Sequence, residues 1–223
     1  MKHQIKAALF DLDGVLVLTD RYHFRAWLRL AREMGWAFDE RVSDRCRGIP
    51  RMASLQVILE HNKLSLPEET MQKLASRKNS YYLALIEELS PADIYPGAAD
   101  FLRKLKEENI RLAVCSSSEN AKNVLEKLNL SKFFDASVSG GEISRPKPDP
   151  QIFLLAAAKL GFAPCECVVF EDASAGIAAA RSAGMSCIGI GDKNQLPDAP
   201  ETITNYDDIN LAELLSEGLP FKT

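Results

Sequence analysis

A chain of 223 residues, 46% hydrophobic and 26% charged, has the composition of a soluble globular protein and room for one large domain or two unequal ones. Its net charge of −4, with Lys and Arg scattered along the sequence, excludes nucleic acid as an expected partner, and no apolar stretch approaches the roughly 18 residues of a membrane span. The chain runs from its start straight into an apolar strand pattern without a signal-peptide signature, so a cytoplasmic protein with no membrane partner is expected, and as nothing suggests an extended subunit interface, a monomer.

The first element is a strand over residues 5–10, ending in Ala7-Ala8-Leu9-Phe10 and followed at once by Asp11-Leu12-Asp13-Gly14. Four helical patterns succeed it, over residues 21–34, 42–46, 52–61 and 67–89, with no strand between them. The chain returns through residues 90–97, where two prolines and a glycine fit a hinge. From there helices and strands alternate. Helices are predicted over 98–108, 120–128, 150–160 and 173–183, and strands over 111–115, 136–139, 167–170 and 185–190. Strand and helix at this rhythm argue for a parallel sheet with helices on both faces. The fully apolar run Cys167-Val168-Val169-Phe170 suits a buried parallel strand. The expected class is therefore α/β, a Rossmann-like core formed by residues 1–15 and 93–223, with residues 16–92 inserted after the first strand as a helical cap domain. Such an insertion lies over the C-terminal edge of the sheet, where open α/β sheets bind ligands.

Four groups of polar residues fall at that edge. Asp11 and Asp13 are two apart, so in extended chain their side chains point the same way, and Gly14 permits a turn that most residues resist. Ser116, Ser117 and Ser118 end a strand just before a helix, which makes either an anion site or an ordinary helix cap. Lys147 stands between Pro146 and Pro148, whose stiffness would hold its ammonium in place; a solvated loop lysine is the alternative. Glu171-Asp172 follows the strand over 167–170, as a Mg²⁺-type oxygen pair or as acids favoured by the next helix dipole. Singly each has an ordinary account; together at one edge they point to phosphoryl-transfer chemistry. Of the five cysteines, Cys115 and Cys187 read as reduced core residues. Cys165 and Cys167 form a C-x-C pair with no second cluster at metal spacing.

In this order the motifs Asp11-x-Asp13-Gly14, Ser116, Lys147-Pro148 and Glu171-Asp172 resemble those of the haloacid dehalogenase superfamily. Within it, the β-phosphoglucomutase family is resembled by Thr19 with Tyr22-His23-Phe24-Arg25-Ala26-Trp27, by residues 47–55, by Arg77-Lys78-Asn79 with Tyr82, and by residues 90–97. The resemblance implies Asp11 as nucleophile, Asp13 as general acid and base with its backbone carbonyl on Mg²⁺, and Ser116 and Lys147 on the transferring phosphoryl. Asp11, Asp13, Glu171 and Asp172 would hold the metal. It also implies that His23 helps to position Asp13, and that Arg51, Ser118 and Asn120 bind the phosphate not in transfer. Trp27, Gly48, Ile49 and Lys78 would shape a sugar pocket, and Thr19, Arg47, Ser117 and Glu119 complete the expected contacts to a sugar-phosphate substrate. The implied reaction converts β-glucose 1-phosphate to glucose 6-phosphate through an aspartyl-phosphate and a bisphosphate intermediate.

Three positions depart from the family. Leu18 stands where Asp is usual, Arg47 where Lys is common, and Glu119 where Lys is common. A carboxylate at 119 would weaken the grip on a distal phosphate. A small-phosphomonoester phosphatase on the same scaffold is the alternative. A non-catalytic phosphate-binding protein is disfavoured by the intact Asp11, Asp13, Lys147 and Asp172, and a metal-free dehalogenase by the acid pair at 171 and 172.

Overall fold

The structure is a computed structural model and describes residues 4–217. Strand β1 (Ala7–Phe10) is buried along its whole length because it is bonded on both sides. Its neighbours are β2 (Arg111–Ser116) and β4 (Cys167–Glu171). With β3 (Ala136–Ser139), β5 (Ser186–Ile190) and β6 (Glu201–Ile203) they form a parallel six-stranded sheet in the order β3-β2-β1-β4-β5-β6. Phe10 pairs with Val114 and Phe170, so the residues just beyond these three strands emerge together. The strand order turns about β1, and such a reversal opens a crevice at the C-terminal edge.

Helices cover both faces. On one, α5 (Ala98–Glu107), α6 (Ala121–Lys127) and α9 (Leu211–Glu217) pack on the even-numbered side chains of β1, and the Phe10 and Phe170 rings stack with centroids 4.6 Å apart. On the other, α7 (Gln151–Leu160) and α8 (Ser174–Ala183) cover Ala7, Leu9 and Val169. Helices α1 (Asp20–Met34), α2 (Glu40–Asp44), α3 (Arg51–His61) and α4 (Glu68–Ile86) lie between β1 and α5 in the chain. They enclose a separate apolar cluster that includes Trp27, Leu30, Leu55, Ile58, Leu59 and Leu74.

The chain leaves and re-enters the sheet layer through two adjacent segments. Leu18 N–H donates to Asp93 O at 2.8 Å, Tyr95 N–H donates to Leu16 O at 2.9 Å, and Val17 is bridged to both Ile94 and Asp13. The buried Asp93 carboxylate accepts from Ser90 N–H at 2.9 Å, from the Tyr22 hydroxyl at 3.0 Å and from the Arg21 guanidinium.

The helix expected over 42–46 lies at Glu40–Asp44, because Asp39 caps it by accepting from Val42 N–H at 2.9 Å. Beyond residue 190 the structure adds β6 and α9, for which no element was predicted. Three residues of edge strand after Pro200 are too short to show a period. All five cysteines are free thiols; Cys165 is exposed in the short 3-10 turn Pro164–Glu166, and Cys167 is buried as the first residue of β4. No helix among the described residues is long and apolar enough to cross a membrane.

Candidate active site

Asp11 is the first residue past β1 and only 3% exposed; its N–H donates to Phe170 O at 3.0 Å, which continues the sheet. Gly14 then turns the chain at φ +77°, with its open side against the Asp172 carboxylate, so a methyl group there would collide with it. Leu12, Val15 and Leu16 are buried and anchor the loop that carries Asp11 and Asp13.

Lys147 is one of the largest fully buried side chains. Its Nζ donates to Asp11 Oδ1 at 2.5 Å, to Glu171 Oε2 at 2.7 Å and to Cys115 O at 3.3 Å, which uses all three ammonium hydrogens. Burial works against the Lys147 charge, but Asp11 and Glu171 more than offset it and the pKa rises. Carboxylate oxygens of Asp11, Glu171 and Asp172 all lie within 4.8 Å of one another. One buried lysine among three carboxylates leaves a surplus of negative charge, and burial accordingly pushes the Asp11 and Asp172 carboxyls up. Hard oxygens with surplus negative charge are the donor set of a hard divalent cation.

The acid pair does not cap α8, whose N-cap is Ala173. Instead Glu171 Oε1 accepts from Ala173 N–H at 3.2 Å, and Gly176 leaves the space that the Glu171 side chain fills. Ser116 is also not a helix cap. It is the last residue of β2, fully buried, and its Oγ accepts from Ser118 N–H at 3.0 Å.

Asp13 turns away from this cluster. Its Oδ1 accepts from the Thr19 hydroxyl and lies 3.4 Å from His23 Nε2, so its carboxylate stands apart from the group formed by Asp11, Glu171 and Asp172. Burial raises the Asp13 pKa, but His23 and Thr19 outweigh it and the net shift is downward. His23 Nδ1 lies 2.9 Å from Lys78 Nζ, and its ring stacks on Tyr82 at 4.0 Å. With Lys78 donating to Nδ1, the imidazole proton is on Nε2, facing Asp13.

Lys78 is buried over the Trp27 and Tyr82 rings, 4.9 Å from each centroid, and burial together with the Arg51 charge brings its pKa down to about 7. Between that value and the ordinary value of 10.5 the unfolded chain binds more protons, so this lysine makes the fold more stable as pH rises. Thermal unfolding between pH 7 and 10 should show this rise, and Lys78→Met should flatten it by on the order of 2–3 kcal/mol.

One cavity of about 770 Å³ joins the elements; Asp11, Asp13, Asp172, His23, Trp27, Arg47, Gly48, Ile49, Arg51, Lys78, Ser117, Ser118, Glu119 and Asn120 line it. Thr19, Ser116, Lys147 and Glu171 are not in its lining; they are fully or almost fully buried behind it. The segment carrying α1–α4 touches the sheet side at several points. Ser117 Oγ donates to Gly48 O at 2.8 Å, Asn120 Nδ2 donates to Asn79 Oδ1 at 2.8 Å, and Arg51 pairs with Glu119 at 2.8 Å. Arg47 pairs with Asp20 and lies 3.7 Å from Asp172. Gly48, at φ +70°, faces the Ala173 methyl so closely that a Cβ would meet it at 2.9 Å. Asp20 has no role in the sequence reading. An acid in the first turn of a helix looks like a response to the helix dipole, and only the fold shows that it holds Arg47.

Residues 5–184 match the haloacid dehalogenase-like hydrolase family. A β-phosphoglucomutase of Bacillus subtilis (strain 168) is 41% identical over 217 residues, covering 96% of this chain and 95% of the relative. A phosphorylated carbohydrates phosphatase of Thermotoga maritima is 33% identical over 187 residues, covering 82% and 84%. Among solved structures, a β-phosphoglucomutase from Clostridium difficile matches with a TM-score of 0.90 and 39% identity, over 94% of this chain and 95% of that one.

Proposed function

This chain belongs to the haloacid dehalogenase-like hydrolase family, and from that premise we propose that it is a phosphomutase interconverting β-D-glucose 1-phosphate and glucose 6-phosphate. The observation that carries the reading is that one cavity is lined by Asp11 and Asp13 and also by Arg51, Ser118 and Asn120. A hydrolase needs one phosphate site beside its nucleophile, whereas a mutase must hold a sugar with phosphate at both positions. The cavity volume lies in the usual range for small-molecule sites.

In this reading Asp11 attacks a phosphoryl group and carries it as an aspartyl-phosphate. Asp13, held by Thr19 and His23, takes the proton of the attacking sugar hydroxyl and returns it to the leaving oxygen. Lys147 offsets negative charge at Asp11, and Ser116 holds the loop after β2 beside the phosphoryl. Residues 16–92 act as a cap domain on a core of residues 1–15 and 93–223, closing through Gly48, Asn79 and Arg51. Asp11, Glu171, Asp172 and the Asp13 carbonyl are the residues that would hold Mg²⁺, which supplies neutralisation of charge on the transferring phosphoryl.

Mg²⁺ at about 100 times its dissociation constant should stabilise the fold by about 2.7 kcal/mol. Asp172→Asn should remove most of that gain, and thermal melts with and without the ion check both. The function itself is tested by a phosphorus NMR time course with Mg²⁺, β-glucose 1-phosphate and a trace of glucose 1,6-bisphosphate. A growing glucose 6-phosphate signal supports the mutase. Orthophosphate alone moves the chain to the sugar-phosphate phosphatases, a reading that Glu119 beside Arg51 leaves open.

A further inference from the structure

Arg51 is the cation that the proposed reaction assigns to the phosphate not in transfer, and it is already engaged. It is the first residue of α3, and its Nη2 lies 2.8 Å from Glu119 Oε2. Glu119 sits in the loop between β2 and α6, between Ser118 and Asn120, so the carboxylate shares the patch of cavity wall that would receive the phosphate. The Arg51 side chain is 22% exposed and that of Glu119 is 61% exposed. The partner that must move is thus the one with open solvent beside it, and an ion pair with so exposed a partner is readily exchanged. A phosphate dianion brings more charge and more acceptor oxygens than a carboxylate and can take the guanidinium from it. Glu119 remains next to the phosphate after the exchange, and its charge opposes the new anion.

Resting on the mutase reading of Arg51, we propose that Glu119 is a positioning residue that acts through Arg51. It stands in for phosphate in the ligand-free molecule and competes for Arg51 when ligand is bound. It thereby weakens the hold on the distal phosphate and sets how fast a sugar phosphate is released or turned around in the site. A mutase gains from this, because its bisphosphate intermediate has to exchange its two ends. A lysine at this position would add to the grip, whereas Glu119 relaxes it.

The test is a double-mutant cycle in the full-length Asp11→Asn chain, where transfer is blocked and binding is read whatever the reaction. Glucose 6-phosphate is titrated by calorimetry in the presence of Mg²⁺. Glu119→Gln should tighten binding about 3- to 5-fold at low salt, and the same change beside Arg51→Ala should alter it less than about 2-fold. In the chain with Asp11 intact, Glu119→Gln should lower KM and kcat together, since a ligand held harder leaves more slowly. Unchanged affinity in Glu119→Gln, or an equal gain with and without Arg51, overturns the proposal. If turnover yields only orthophosphate, the mutase reading falls, while the binding cycle still decides whether Glu119 competes for Arg51.

Discussion

Replacing Lys147 by Met should destabilise the protein by about 3–5 kcal/mol at neutral pH, because it leaves buried carboxylates without their cation. The residues concerned are Asp11 and Glu171, each within 2.7 Å of Nζ, with Asp172 beside them. The loss has a direction in pH. With the ammonium gone, burial keeps the Asp11 and Asp172 carboxyls above their ordinary range, so the folded variant binds more protons than the unfolded one. Its stability therefore falls as pH rises from about 4 toward neutrality. Urea unfolding at pH 4.5 and 7.5 should show a larger deficit at the higher pH, with Mg²⁺ restoring part of it. Phosphoryl transfer should fall by about 10³-fold or more even in protein refolded with Mg²⁺, since charge neutralisation supplies much of catalysis in such reactions. A variant as stable as the parent at neutral pH would mean that Lys147 does not hold the cluster together.

Asp11→Asn should do the opposite: lose activity and keep the fold. The amide has the volume of the carboxylate and removes one of three mutually repelling charges, so the unfolding midpoint without metal should stay level or rise. Turnover should drop by at least about 10⁴-fold, because an amide cannot accept and return a phosphoryl group in place of the nucleophile. Incubation with a bisphosphate and acid quenching would show label on the parent chain and none on the variant. Label on the variant would place the nucleophile elsewhere. Taken together the two substitutions separate residues that are nearly in contact: one carries the transferring group and the other carries the charge balance.

How much could be read beforehand depended on whether partners are near in sequence. Asp11, Asp13 and Gly14 occupy one turn after an apolar strand, and Glu171-Asp172 follows another. Their convergence needed only that β1 and β4 be parallel, which the spacing of strands and helices implied. Lys147 could be named as a fixed ammonium, but not its engagement by Asp11, Glu171 and Cys115 O, since no pattern relates residues so far apart. The contacts across the cavity were illegible for the same reason: Arg51 with Glu119, Arg47 with Asp172, and Asn120 with Asn79 each join two layers. Lys78 is instructive in another way. Lysine is a surface residue by habit, and on sequence alone its position in α4 reads as solvated. Only the family resemblance placed it in the pocket, and the fold supplies the cause, two aromatic rings and His23. Beyond residue 190, a three-residue strand and a short terminal helix offer too little periodicity to read.

The bridge between Val17 and Ile94 bears on the birth of the molecule. Among the described strands β1 is the earliest in the chain and one of the two central ones in the sheet, and its partners β2 and β4 are synthesised much later. An apolar strand emerging from the ribosome must wait for about a hundred residues before it has an edge to pair with, the situation in which nascent chains aggregate. Helices α1–α4 are completed during that wait and have an apolar cluster of their own. If they condense first, Val17 and Ile94 are already neighbours, and the segment to be closed between β1 and β2 shrinks to a few tens of residues. Loop entropy grows only logarithmically, so this shortening is worth on the order of 1 kcal/mol, enough to hasten pairing several-fold if it is felt in the transition state. The inserted helices would then serve the chain twice, as a clasp during synthesis and as the roof of the site afterwards.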